Sequence, residues 1–230
     1  MSLKKSAKHL VSKRGRYLLS RIYPWTGLNG LDRKVLEYID FKGGVFLEAG
    51  ANDGIRQSNT FYLEKKMGWK GILVEPIPEL ARECKRNRKA SDVYQVALTT
   101  EENSGGFITL MDVDLMSSVV QSENLEAQLA LAEEVQGITR KEYQVATKSL
   151  SQIIDQSSYD AIDFMSIDVE GYELDVLAGL DLDRQCPQWL LVETSKIEEV
   201  KKLLLAHMTV TSQLSHHDYL FRKIEKDGAN

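Results

Sequence analysis

Residues 46–54 read Phe-Leu-Glu-Ala-Gly-Ala-Asn-Asp-Gly. An apolar run ends in small residues, and a helical pattern follows. This is the pattern of a buried strand feeding a helix through a turn that a ligand can approach. Glycine has no Cβ to hold a ligand off, and a helix N-terminus offers unpaired N–H groups. A dinucleotide turn needs G-x-G-x-x-G, but Asn52 and Ile55 stand at the second and third glycine positions. Glu48 closes the first strand and would repel a pyrophosphate in a poorly screened cleft. Glu75 closes a second apolar run, where a carboxylate can accept hydrogen bonds from both hydroxyls of a ribose. Two carboxylates around a Gly-x-x-x-Gly turn suit a nucleoside that carries positive charge. S-adenosylmethionine, with its α-ammonium, its sulfonium and no phosphate, answers that description.

Positioning these groups requires strands and helices in alternation. Residues 45–49, 71–75, 93–98, 162–168 and 189–193 read as buried strands. Helices are expected over 57–67, 78–88, 172–180 and 196–207, with Pro78 in a first turn. That order implies an α/β fold with a parallel sheet and right-handed crossovers. The last two strands, 209–214 and 219–224, are joined only by Ser215-His216-His217-Asp218. So short a link makes them antiparallel. Residues 107–111 read as a strand. Residues 112–148 read as polar and irregular, with a helix over 123–135, and form an insertion or lid. Trp69 reads as a core anchor.

Five segments carry a resemblance: EAGANDGIRQSNTFYLEKKMGWKGILVEPIPE (48–79), NRKASDVYQVAL (87–98), SLSQIID (149–155), IDFMSIDVEGYELDVLAGL (162–180) and LLVET (190–194). Together they resemble the FkbM-type family of S-adenosylmethionine-dependent methyltransferases. The combination of N-D-G, S-N-T, L-E-K, G-W-x-G, V-E-P and I-D-x-E-G is specific, while any one alone is weak. The resemblance spans about residues 40–225 and leaves 1–40 and 112–148 uncovered. It implies a Rossmann-like methyltransferase fold: a seven-stranded, mostly parallel sheet, the last strand antiparallel, with helices on both faces. It divides the chain into a basic helical segment (1–40) and a methyltransferase domain (41–230).

By the same resemblance, Glu48, Gly50, Ala51, Asn52 and Gly54 form the cofactor turn. Glu75 holds the ribose and Pro76 lies against the adenosine. Val96 and Ala97 lie near the adenine, and Ser58 and Asn59 make minor contacts. Asp168 lies near the methionine end and the acceptor. The implied reaction is O-methylation of a sugar, glycan or natural product. The alternatives are an N-methyltransferase on the same fold and a non-catalytic nucleoside-binding module. No Asn/Asp-Pro-Pro-Tyr segment supports the first, and intact Glu48, Gly50, Glu75 and Asp168 argue against the second.

A hydroxyl acceptor must lose its proton, to which a placed base contributes typically about 10²–10⁴-fold. Asp168, Glu170 and Glu193 are the candidates at the mouth of the site. Glu170 also suits the first turn of a helix as a dipole partner. Glu193 also reads as a sheet-end carboxylate. His216 and His217 are alternative bases. An Asp168–Glu193 pair could hold a Mg²⁺ that orients a diol, but no spacing compels a metal and no metal ligand is assigned.

The 230 residues carry a net charge of −5, against a dedicated nucleic-acid binder. No apolar run approaches the roughly 18 residues of a membrane span. Cys84 and Cys186 stand about a hundred residues apart in no metal-binding pattern. Buried, reduced thiols, no secretory signal and a cytoplasmic location are expected. The charge is uneven. Residues 1–21 hold seven basic residues and no acidic one, leaving 22 basic and 34 acidic in the remainder. Leu3, Ala7, Leu10, Val11, Leu18 and Ile22 fall near one helical face. That face is expected to pack on the body; peripheral contact with an anionic membrane is the competing reading.

Overall fold

The computed structural model describes residues 13–113, 116–119 and 141–225. Its frame is a seven-stranded sheet. Strands β1 (Val45–Ala49), β2 (Lys70–Val74) and β3 (Asp92–Tyr94) run parallel on one side. Strands β8 (Phe164–Ile167) and β9 (Trp189–Glu193) continue the sheet in parallel from β1. Strand β11 (Asp218–Lys223) lies antiparallel between β9 and β10 (Met208–Gln213). The order is β10-β11-β9-β8-β1-β2-β3. The short 215–218 link therefore makes the antiparallel pair that its length requires.

Both faces of the sheet are covered, because side chains alternate along a strand. Leu47, Ile72, Met165 and Leu190 point to one side. There they pack with residues of α5 (Leu150–Gln156), α6 (Glu173–Ala178) and α8 (Ile197–Leu204). Phe46, Leu73, Phe164 and Leu191 point to the other side. They meet residues of α2 (Leu31–Val35), α3 (Phe61–Met67) and α4 (Pro78–Asn87). Trp69 is buried in that second cluster, and its indole N–H donates to the Phe41 carbonyl. A short helix, α7 (Leu182–Gln185), leads into β9.

The structure corrects several sequence expectations. The strand expected over 93–98 is two strands. The chain leaves the main sheet after Tyr94, and β4 (Ala97–Leu98) pairs instead with β7 (Lys141–Lys148). Residues 141–148 are thus not irregular. With β5 (Phe107–Val113) and β6 (Met116–Val119), strands β4 and β7 form a second sheet, ordered β4-β7-β5-β6. The signal was the run of β-formers Tyr143, Val145 and Thr147 at every second position. The helix expected over 123–135 lies outside the described residues. Helix α3 starts at Phe61 rather than residue 57, because residues 58–60 are held by Glu48.

Helix α1 (Lys13–Ile22) forms as expected, but its apolar side chains do not pack on the body: Leu18, Leu19 and Ile22 are exposed. Cys84 is buried and its thiol is pushed up to about 12 by burial, so it is no nucleophile at neutral pH. Cys186 is half-buried rather than buried. Among the described residues no helix is long and apolar enough to cross a membrane.

Candidate active site

The strand order reverses beside β1, whose neighbours are β2 and β8. A crevice beyond the carboxyl ends of these strands is where open α/β sheets bind ligands. The turn after β1 begins at Gly50, whose φ is +81°. A Cβ there would stand 1.8 Å from the Asp168 carbonyl oxygen. Only glycine lets the ends of β1 and β8 approach so closely. Asp53 then folds the turn, its Oδ1 accepting the N–H groups of Ile55 and Arg56.

Glu48 is a structural hub. It accepts the Asn59 N–H on Oε1, at 2.7 Å, and the hydroxyls of Ser58 and Thr60 on Oε2. Glu75 does a related job one strand over. Its Oε2 accepts the Asn52 N–H at 2.8 Å, and its Oε1 accepts the Ile77 N–H at 2.9 Å. The Asn52 N–H would otherwise be a donor for an anion at this turn.

These groups border a cavity of about 220 Å³. Of the residues singled out from sequence, Glu48, Gly50, Asn52, Asn59, Glu75, Pro76, Val96, Ala97, Asp168 and Glu170 line it. Ala51 does not, because it is buried in the core with Phe46 and Leu63. Gly54 lies behind the turn, where a Cβ would stand 2.7 Å from the Arg88 side chain. Ser58 is buried between Glu48 and Arg88. Glu193 is absent from the lining and acts on it through Asp168. His216 and His217 stack on each other in their loop and do not line the cavity either.

The cavity wall also includes Arg56, Gln57, Leu80, Ile108, Leu110 and Tyr143, which sequence reasoning missed. Ile108, Leu110 and Tyr143 come from the second sheet. The strand expected over 107–111 carries Ile108 and Leu110, but its pairing with 141–148, which sets it beside the cavity, was not expected.

The acidic mouth has a definite electrostatic character. Burial raises the Asp168 pKa, and the neighbouring Glu193 and Glu170 carboxylates raise it further, to about 8. Glu193 is also raised, by burial and by Asp218, and it accepts a hydrogen bond from Asp168. Glu170 stands at the rim with a φ of +51°, where partial burial of its carboxyl and the Glu193 charge raise its pKa. It does not cap a helix: α6 starts later, and Glu173 accepts the Gly171 N–H instead.

The Methyltransferase FkbM domain model matches residues 48–223. The chain belongs to the FkbM methyltransferase family. It is a methyltransferase and its cofactor is S-adenosylmethionine.

Among the solved structures similar to this FkbM protein, one with a TM-score above 0.5 shares its fold. A human methyltransferase 10 domain containing protein is 11% identical, with a TM-score of 0.52 over 96% of this chain and 97% of that one. A methyltransferase FkbM from Methylobacillus flagellatus KT is 12% identical, with a TM-score of 0.47 over 79% of this chain. The match spans only 44% of that protein. An RNA methyltransferase from Salinibacter ruber, in complex with S-adenosyl-L-homocysteine, is 11% identical, with a TM-score of 0.42 over 87% of this chain and 94% of that one. No curated protein matches the sequence.

The residues present fit the cofactor of an FkbM enzyme. Glu48, Glu75, Glu79, Asp168 and Glu170 outnumber Arg56 and Lys141 along the cavity wall. Asn59 adds an acceptor, Oδ1, that is buried and has no partner in the protein. Such an acceptor calls for a donor such as an ammonium group. Among the described residues no group of three or more His, Cys, Asp or Glu side chains could hold a metal ion.

Proposed function

We propose that this chain methylates a hydroxyl of a sugar, glycan or related metabolite, with Asp168 as the general base. The observation that carries the proposal is the Asp168 carboxyl group. It lines the cavity at the end of β8, bonds to Glu193, and titrates near about 8. A base matched to the working pH combines availability with driving force. S-adenosylmethionine, when bound, supplies the electrophilic methyl group. Glu75, Gly50 and Asn52 would hold its nucleoside, and Asn59 and Glu48 would offer acceptors at the other end. Asp168 would take the hydroxyl proton as the acceptor oxygen bonds to the methyl carbon and the methyl–sulfur bond breaks, leaving S-adenosylhomocysteine. Glu193 and Glu170 keep that proton from being too weakly held.

The excess of acidic over basic groups about the cavity disfavours a nucleic acid acceptor, with Arg56 and Lys141 as the cations that line it. Glu173 and Asp218 add to Asp168, Glu170 and Glu193 near the mouth. A phosphate backbone would meet like charge there.

The acceptor is tested by incubating the enzyme with methyl-labelled S-adenosylmethionine and size-fractionated cell extract. Label recovered as a methyl ether in a carbohydrate or metabolite fraction is the expected result. Label on a nitrogen of RNA or protein would overturn the proposal.

Asp168→Asn is expected to cut turnover by about 10²–10⁴-fold while leaving S-adenosylhomocysteine binding nearly unchanged. It should also abolish the rise of rate with pH toward about 8. Stability should move the other way. The folded protein keeps a proton that the unfolded chain has lost, so wild-type stability falls as pH rises from the ordinary carboxyl range toward about 8. Thermal unfolding should therefore show an advantage of the Asn variant that grows over that window. A constant difference between the curves would contradict the raised pKa.

A further inference from the structure

We propose that α1 is a membrane-surface element that lies on an anionic bilayer and brings the cavity rim to that surface. The helix is mounted inside out. Ser20 is only 4% exposed, whereas Leu18 is 58%, Leu19 55% and Ile22 83% exposed, with Tyr23 beyond the helix end at 58%. A water-facing helix normally buries its apolar stripe and exposes its hydroxyls. This ridge is therefore built for a cover.

Charge identifies the cover. Successive helical residues turn by about 100°. Positions 18, 19 and 22 thus form one ridge. Residues 1–21 include seven basic residues and no acidic one. An apolar ridge in so basic a segment matches an anionic bilayer surface, where aliphatic groups enter the acyl boundary and cations meet headgroups. The acidic remainder of the chain does not cancel this attraction. At physiological salt, exposed charges more than about 8 Å apart are largely screened.

The helix is also fastened to the site. Pro24 is buried, and Trp25 stacks on Tyr62 with centroids 3.8 Å apart. The Thr26 hydroxyl donates to the Ser58 carbonyl at 2.9 Å, and Gly27 forms a β-bridge with Gln57. Gln57 lines the cavity. Ser58 in turn holds Glu48, so the segment that follows α1 is bonded to the loop that shapes the site.

Sedimentation of the full chain with vesicles tests the proposal. Vesicles of phosphatidylcholine alone are compared with vesicles that also contain phosphatidylglycerol. The chain should bind the anionic vesicles at least about tenfold more strongly than the neutral ones, and high salt should release it. The Leu18→Glu/Ile22→Glu double variant should lose at least about tenfold in that binding. Unchanged S-adenosylhomocysteine binding by calorimetry would show that the variant is folded. If it is not folded, Arg14→Gln/Arg21→Gln decides, because it keeps the ridge and should lose the anionic preference. Wild-type chain left in the supernatant with anionic vesicles overturns the proposal. So does a folded variant that binds as well as wild type. A wild-type dimer that becomes monomeric in the Glu variant, with no vesicle binding, would assign the ridge to a second copy instead.

Discussion

Replacing Arg88 with Met should lower the unfolding midpoint by roughly 6–20 °C in calorimetry. The guanidinium is fully buried, at 0% exposure. Its Nε donates to Glu64 Oε2 at 2.8 Å, and Nη2 donates to the Thr60 hydroxyl at 2.9 Å. Nη1 donates to the Gly54 carbonyl and the Ser58 hydroxyl, and lies 3.7 Å from Glu48 Oε2. The rings of Phe46 and Phe61 pack beside it. Burial alone would raise the Glu64 pKa, but Arg88, Lys65 and Ser91 outweigh it and bring it below its ordinary value. Removing Arg88 leaves two buried carboxylates short of their cation. Breaking a buried pair this way costs about 3–5 kcal/mol, and each kcal/mol moves the midpoint of a chain this size by about 2–4 °C. Arg88→Lys should recover only part of the loss, since an ammonium cannot match the fork. A change of a degree or less in the Met variant would show that Lys65 and Ser91 satisfy Glu64 on their own.

Glu75→Ala should weaken S-adenosylhomocysteine binding by about 100-fold in calorimetry, on the order of 3 kcal/mol. Hydrogen bonds to a charged group contribute about 1.5–3 kcal/mol each, and the proposed ribose contact has two. The substitution also releases the Asn52 and Ile77 N–H groups and so loosens both turns at once. The contrast with Asp168→Asn is informative. One variant should lose binding and the other turnover. Equal loss of binding in both would mean that Asp168 holds cofactor rather than serving the acceptor.

Local pattern explains which parts of this molecule were legible in the sequence. Strands β1 and β9 match their predicted bounds, because apolar residues with polar stops mark a buried strand. The antiparallel end of the sheet followed from a four-residue link. Glu48 and Glu75 were legible as site carboxylates, but not their backbone and hydroxyl partners, which depend on how the 50–60 turn folds. Arg88 carried no local signal at all. It sits among other basic residues at the end of α4, and only tertiary packing separates it from the exposed Lys85 and Arg86. The second sheet was missed because its central strand mixes lysine, glutamate and glutamine with a few apolar residues. The ridge on α1 was read correctly as amphipathic and then assigned inward by the usual rule, which this helix breaks.

The cavity has walls from two separate sheets, and this offers a route to the unidentified acceptor. If the adenine lies near Val96 and Ala97, the adjoining Ile108 and Leu110 belong to β5 of the small sheet rather than to the turn that grips the ribose. Trimming one of them opens space beside the base without touching Gly50, Glu75 or Asp168. An enzyme so altered can be matched to a cofactor analogue enlarged on its base, which the unaltered methyltransferases of an extract would reject for lack of room. A transferable tag on that analogue would then mark the products of this protein alone, in a mixture where every other methylation stays silent.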